Sequence, residues 1–232
     1  MSVAANDIGA MPARPGRLAL FWDSSIGKKA LMALTGLILS AYLVAHLLGN
    51  MQIYMGSEVI DRYAHFLHSN AGVLWTARVV LLAAVLVHAI SGIQLYMRKA
   101  SARPIEYHTR ANLQGSTASR TMLVSGVVIL LFIVYHVLHL TTGTVHPAYE
   151  ELAPYHNVTT GFQQPLAAGL YIVAMIGVGF HLWHGLYSMF SSLGLSHPRY
   201  TPAIRKAAAL IATIIALGNI SVPVAVLTGL LG

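Results

Sequence analysis

Five long apolar stretches constrain what this chain can fold into more than any other feature of its sequence. They cover residues 30–50, 74–97, 122–142, 166–193 and 207–231. Each reaches the roughly 20 residues that a helix needs to cross the hydrocarbon core of a bilayer. Apolar residues make up 56% of the chain and charged residues 9%, whereas a soluble domain uses about 25% charged residues to cover its surface. The expected fold is an all-α integral membrane protein, with five transmembrane helices in a bundle over residues 30–232 and a preceding segment at 1–29. That segment is polar and punctuated by Pro and Gly, and the apolar run behind it is too long for the core of a cleaved signal peptide. The first helix is therefore expected to stay in the mature protein. The fourth stretch is long enough to tilt or to project from the bilayer. Pro165 and Pro202 stand near helix starts, where a missing N–H matters little. Pro223 lies inside the fifth stretch and is expected to kink it. No internal repeat is obvious.

The formal net charge of +7 sits at helix ends rather than along a stripe interleaved with aromatics, which argues against a nucleic-acid partner. Arg14, Arg17, Lys28 and Lys29 precede the first span, and Arg98, Lys99, Arg103, Arg110 and Arg120 join the second to the third. Arg199, Arg205 and Lys206 join the fourth to the fifth. The alternate connections hold only Arg62, with Arg78 just inside the second span. This asymmetry places the N-terminus in the cytoplasm and the C-terminus outside, as in a multi-pass protein of the bacterial cytoplasmic (inner) membrane. The outer connection at 143–164 has no Lys or Arg but carries His146, Glu150, Glu151 and His156. Its triplet Asn157-Val158-Thr159 matches a glycosylation sequon, a pattern that arises often by chance.

With no cysteine, the chain offers no disulfide and no thiolate ligand. It has 12 histidines, and six lie within spans: His46, His88, His136, His139, His181 and His184. An ionisable side chain at membrane depth points to function, although any one of these could do no more than hydrogen-bond between helices. Their depths are informative together. His46, beyond Lys29, and His136, beyond Arg120, both fall roughly 25 Å from the cytoplasmic ends of outward-running helices. His88, before Arg98, and His181, before Ser191, fall roughly 15 Å from the inner ends of inward-running helices. Four helices thus give one outer and one inner pair. Two neutral imidazoles facing each other are the axial ligands of a low-spin haem, and with both axial positions filled such a haem carries electrons. Without a cysteine attachment motif, such haems are b-type. Gly92, Gly177 and Gly185 lie one turn from His88 or His181 and leave room for a macrocycle. A single zinc or copper ion needs all its ligands within about 2 Å, which two pairs roughly 10 Å apart in depth cannot provide. The spacing alone leaves His136 and His139, and His181 and His184, as alternatives at i,i+3, and leaves open a metal-transport role through them.

These residues resemble a known family. Ser24-Ser25-Ile26-Gly27-Lys28-Lys29, Thr35-Gly36 and His46-Leu47-Leu48-Gly49-Asn50 are similar to the first helix of the single-subunit, di-haem (b558-type) cytochrome b of succinate:quinone oxidoreductases and quinol:fumarate reductases. His88-Ala89-Ile90-Ser91-Gly92-Ile93 with the basic run behind it, and Phe180-His181-Leu182-Trp183-His184-Gly185, extend the likeness, which spans residues 21–230. The resemblance implies a membrane anchor for a flavoprotein and an iron–sulfur subunit on the cytoplasmic face, passing electrons to quinone (menaquinone or ubiquinone) through two b haems. It implies His46 with His136 as ligands of the distal haem and His88 with His181 as ligands of the proximal one. It leaves His139 and His184 to bond propionates or to pack. The chain departs from one feature of the family. Some quinol:fumarate reductases have a glutamate two residues before the fourth-helix ligand, associated with a transmembrane proton path, and here that residue is Gly179.

A quinone carbonyl needs a hydrogen-bond donor, and its reduction needs a proton source. Outer candidates are Glu58, Asp61, His65 and His68, which would otherwise belong to a solvated loop. Inner candidates for quinone or propionate are Ser25 and Lys28, beside Trp22, though Lys28 also reads as a topology charge. Trp75 and Trp183 suit interface anchors or haem neighbours. No flavin or nucleotide motif is present, so the chain is expected to be one subunit of an enzyme that cannot oxidise succinate alone. A di-haem cytochrome b of a formate dehydrogenase or hydrogenase, and a haem-free anchor or transporter, are the alternatives.

Overall fold

The computed structural model describes residues 16–101 and 121–232. Arg14, Arg103, Arg110 and Arg120 of the charge pattern lie outside them. The described residues form helices joined by turns and short loops, with no strand among them. Helix α1 (Arg17–Asp23) leads into α2 (Ser25–Asn50), a 3-10 turn (Met51–Met55), α3 (Ser57–Ser69), α4 (Ala71–Ser101), α5 (Met122–Leu140), α6 (Pro154–Phe162), α7 (Pro165–Ser192) and α8 (Thr201–Leu227). Five of these, α2, α4, α5, α7 and α8, are long and apolar enough to cross a membrane, and the chain is a multi-pass membrane protein. Two of the connections expected as loops contain helices, α3 and α6.

Local chemistry sets the helix ends. Ser24 caps α2 by accepting a hydrogen bond from the Gly27 N–H at 2.8 Å, which satisfies one of the helix's free donors. The elbow from α1 to α2 requires Gly27, because a Cβ there would lie 1.9 Å from the Phe21 carbonyl oxygen. Helix α4 ends on Arg98 and Lys99, whose charges suit the negative end of its dipole. Pro165 and Pro202 occupy first-turn positions of α7 and α8. Helix α8 continues through Pro223, which is buried.

The bundle consists of two hairpins, α2 with α4 and α5 with α7, joined chiefly where α2 meets α7. Helix α8 lies mainly along α7 and also touches α2, whereas α4 and α5 meet sparsely. Small residues line the tightest seam: Ala168, Ala174, Ala208, Ala212, Ala216 and Ala225 are all buried. With lipid outside as apolar as the interior, close backbone approach of this kind is what holds membrane helices together. Large apolar side chains such as Leu82, Leu131, Val173 and Leu217 face outward, as a lipid environment allows.

Candidate functional site

The hairpins bring four of the six span histidines face to face in two layers. His46 on α2 meets His136 on α5, with ring centroids 5.7 Å apart and planes at 88°. His88 on α4 meets His181 on α7 at 6.2 Å and 61°. His88 and His181 meet α2 and α5 at Gly36 and Gly126: a Cβ on Gly36 would lie 3.3 Å from His88 Cε1, and one on Gly126 would lie 3.5 Å from His181 Cε1. Ten residues separate each glycine from the outer histidine on its helix, so the layers are about 15 Å apart, wider than the depth estimate from charge positions.

Neighbouring hydroxyls and carbonyls engage Nδ1 of these rings. His88 Nδ1 lies 3.1 Å from the Met32 carbonyl oxygen and 3.2 Å from Thr35 Oγ1. Thr35 donates its own proton to the Leu31 carbonyl at 2.7 Å, so its oxygen can accept from His88. His181 Nδ1 lies 3.2 Å from Ser125 Oγ, and Ser125 donates to the Met122 carbonyl. His136 Nδ1 lies 3.2 Å from Tyr171 Oη, and Tyr42 Oη stands 3.5 Å from His46 Nδ1. Where Nδ1 donates, as His88 does to the Met32 carbonyl, Nε2 is the ring nitrogen left to bind a metal, and such outer partners fix a ligand's tautomer and raise its basicity.

Each layer offers two ligands only. No group of three or more His, Cys, Asp or Glu able to hold a metal occurs among the described residues, so neither layer suits a tetrahedral ion. Two metal–imidazole bonds of about 2.0 Å, with about 1.1 Å from each nitrogen to its ring centre, put the centroids roughly 6.2 Å apart. The inner pair at 6.2 Å matches that separation, and the outer pair at 5.7 Å needs to open by about half an ångström. The residues therefore fit a metal that brings its own equatorial donors. A Cβ on Gly185 would meet nothing within 4 Å, which leaves open space one turn from His181.

The remaining candidates divide. His139 is 3% exposed, stacked between Tyr135 at 5.3 Å and His146 at 4.9 Å, with Nδ1 3.1 Å from Tyr171 Oη. It stands beside the outer layer without facing His46. His184 is half-buried one turn beyond His181. Asp61 accepts from the Tyr155 N–H at 3.0 Å and so holds the start of α6, whose own N-cap, Ala153, has no side chain to do it. Glu58, His65 and His68 are exposed on α3; Glu58 pairs with Arg62 at 4.0 Å, and His68 Nδ1 donates to the Ala64 carbonyl. At the inner end Ser25 is exposed, but Lys28 is 1% exposed. Its ammonium donates to Gln94 Oε1 and lies 4.8 Å from the centre of the Trp22 ring. The hydroxyl of Ser91, on the same face of α4, is buried without a partner. Trp75 and Trp183 are both exposed on outward faces.

Two further residues named above are tightly held in the fold. Gly179 is pressed against α8, where a Cβ would lie 3.1 Å from that of Ala216; no glutamate side chain fits there in this packing. Asn157 is 3% exposed and both ends of its amide are bonded to the Glu150 backbone, so the sequon is closed to modification in the folded protein. Ser125 and Tyr171 were not singled out from the sequence, and Thr35 entered only within the motif Thr35-Gly36, yet a signal for the roles of Thr35 and Ser125 existed. Thr35-Gly36 with His46 recurs ninety positions later as Ser125-Gly126 with His136, and His88 with Gly92 recurs as His181 with Gly185. The two hairpins are equivalent halves, which the absence of broader similarity concealed.

Among known proteins, the family described as the succinate dehydrogenase/fumarate reductase transmembrane subunit matches residues 99–219, a segment carrying His136, Tyr171 and His181. No curated protein and no solved structure matches the chain. The family match covers just over half of the residues, and the chain belongs to the succinate dehydrogenase/fumarate reductase transmembrane subunit family.

Proposed function

We propose that this chain is the cytochrome b anchor of a succinate:quinone oxidoreductase or quinol:fumarate reductase, linking an iron–sulfur subunit to membrane quinone. The observation that carries this reading is the pair of facing histidine layers, each with two ligands whose Nδ1 atoms are engaged. His46 and His136 hold the distal b haem, and His88 and His181 the proximal one. A bound haem supplies one-electron chemistry without an open coordination position. The chain's contribution is to hold the four imidazoles in neutral, oriented form and to keep the layers apart along α2 and α5.

The cytoplasmic face carries the N-terminus and docks the flavoprotein and iron–sulfur subunits of a bacterial inner-membrane complex. Lys28 supports the inner site. A buried ammonium with only an amide and an indole beside it is poorly compensated, and the carboxylate of a bound cofactor or a quinone carbonyl at the Lys28, Gln94 and Ser91 cluster would complete it.

The chain contains no cysteine, so single cysteines introduced at the ends report orientation directly: one before Arg17 is expected to react only from the cytoplasmic side. His88→Leu or His181→Leu should remove the inner haem preferentially, and His46→Leu or His136→Leu the outer one. Copurification of a flavoprotein and an iron–sulfur protein with the full-length chain is expected. A chain purified with neither partner and no haem would refute the proposal.

A further inference from the structure

We propose that Tyr171 and His139 are positioning residues for His136, a chain of two hydrogen bonds that fixes the outer ligand's tautomer and electron donation. This inference rests on His136 being a haem ligand. The hydroxyl of Tyr171 stands between two imidazoles, 3.2 Å from His136 Nδ1 and 3.1 Å from His139 Nδ1. It has one proton and acceptor lone pairs, so it can accept from one ring and donate to the other but cannot donate to both. A ligand binding through Nε2 carries its proton on Nδ1 and donates it to Tyr171 Oη. Tyr171 then donates onward to Nδ1 of His139, whose own proton must sit on Nε2.

The phenol cannot swing away. Its ring is 6% exposed and held edge-on by Phe132 at 4.9 Å and Phe162 at 4.7 Å. His139 is fixed in turn by stacking on Tyr135 and on His146. His146 is set by its bonds to the Asn157 carbonyl at 2.8 Å and from the Ala148 N–H at 3.1 Å. The arrangement differs from the inner layer, where hydroxyls of the adjoining spans and a backbone carbonyl do this work. In the outer layer, the ligand's orientation reaches through α7 into the outer connection.

The test uses the full-length chain purified with its haems, with the potential of each haem and its low-spin electron paramagnetic resonance signal as readouts. Tyr171→Phe keeps the ring among Phe132 and Phe162 and removes only the hydroxyl. A ligand that loses its acceptor becomes a weaker donor, so the outer haem's potential should rise and its signal shift, while the inner haem is unchanged. Outer-haem retention should fall on the order of 10-fold, the lower end of the usual effect of removing such a partner. His139→Asn retains an acceptor near the Nδ1 position and should restore most of the wild-type potential, whereas His139→Leu should shift it in the same direction as Tyr171→Phe. If Tyr171→Phe fails to assemble, the Asn and Leu variants at 139 decide, and equal potentials in both overturn the proposal. An unchanged outer potential and signal in Tyr171→Phe also overturns it. If His136→Leu retains the outer haem, the ligand assignment itself has failed, a result distinguishable from failure of the relay alone.

Discussion

Replacing Gly36 and Gly126 by alanine gives two chemically identical changes with opposite expected outcomes. Each adds one methyl group and removes the helix penalty of glycine, a gain of up to about 1 kcal/mol. At Gly126 the new Cβ would lie 3.5 Å from His181 Cε1, an ordinary van der Waals contact, so the gain is kept. At Gly36 it would lie 3.3 Å from His88 Cε1 and 3.6 Å from Nδ1, and the imidazole must retreat by a few tenths of an ångström. That ring is tethered to Met32 and Thr35, bonds worth about 0.5–1.5 kcal/mol each, and overpacking of a fixed group costs about 1–3 kcal/mol. The pair should therefore differ by about 1–3 kcal/mol, with Gly126→Ala the more stable. Thermal unfolding of both variants in the same detergent should separate their midpoints by on the order of 5 °C, given about 2–4 °C per kcal/mol for a chain of this size. Equal stabilisation by both changes would mean that His88 does not pack on α2 at residue 36, and the inner layer would have to be redrawn.

Three other perturbations read different parts of the site. Gly161→Ala places a Cβ 2.9 Å from His146 Nε2 and 3.0 Å from His139 Cε1; neither stacked ring can yield, so thermal unfolding should show a loss of about 1–3 kcal/mol. Asp61→Ala removes the acceptor for the Tyr155 N–H and should cost about 0.5–2 kcal/mol, while Asp61→Asn should lie close to wild type by the same measurement. Lys28→Met should lower inner-haem content with the outer haem retained, as read from the two haem potentials. If Lys28 is merely a topology charge, its apolar replacement would be neutral or stabilising and both haems would remain.

The membrane spans were legible because hydropathy at this length has few other solutions, and the family match agrees with the resemblance read from the motifs. The pairing of His46 with His136 and of His88 with His181 was legible because alternating helix directions, expected from the charge asymmetry, put the histidines at two depths. What spacing could not do was choose His136 over His139, since both lie on one helix face; both rings reach Tyr171, and the packing differs in that His136 meets His46. Tyr171 itself was invisible because a tyrosine in a span reads as packing or as an interface anchor until its hydroxyl has a partner. Thr35 and Ser125 were obscured by the many hydroxyl residues in the helices. The bond from the Tyr155 N–H to Asp61 was not legible because the two residues lie far apart along the chain. The helices α3 and α6 were missed because short polar segments between spans carry no hydropathy signal.

The central claim is that each layer holds one haem, and the most direct measurement is the dithionite-reduced minus oxidised spectrum of the purified chain, with haem and protein quantified in the same sample. The account predicts a b-type spectrum with two haems per chain, falling to one when His88 or His136 alone is replaced. A chain that is folded and membrane-inserted yet carries no b haem would contradict it.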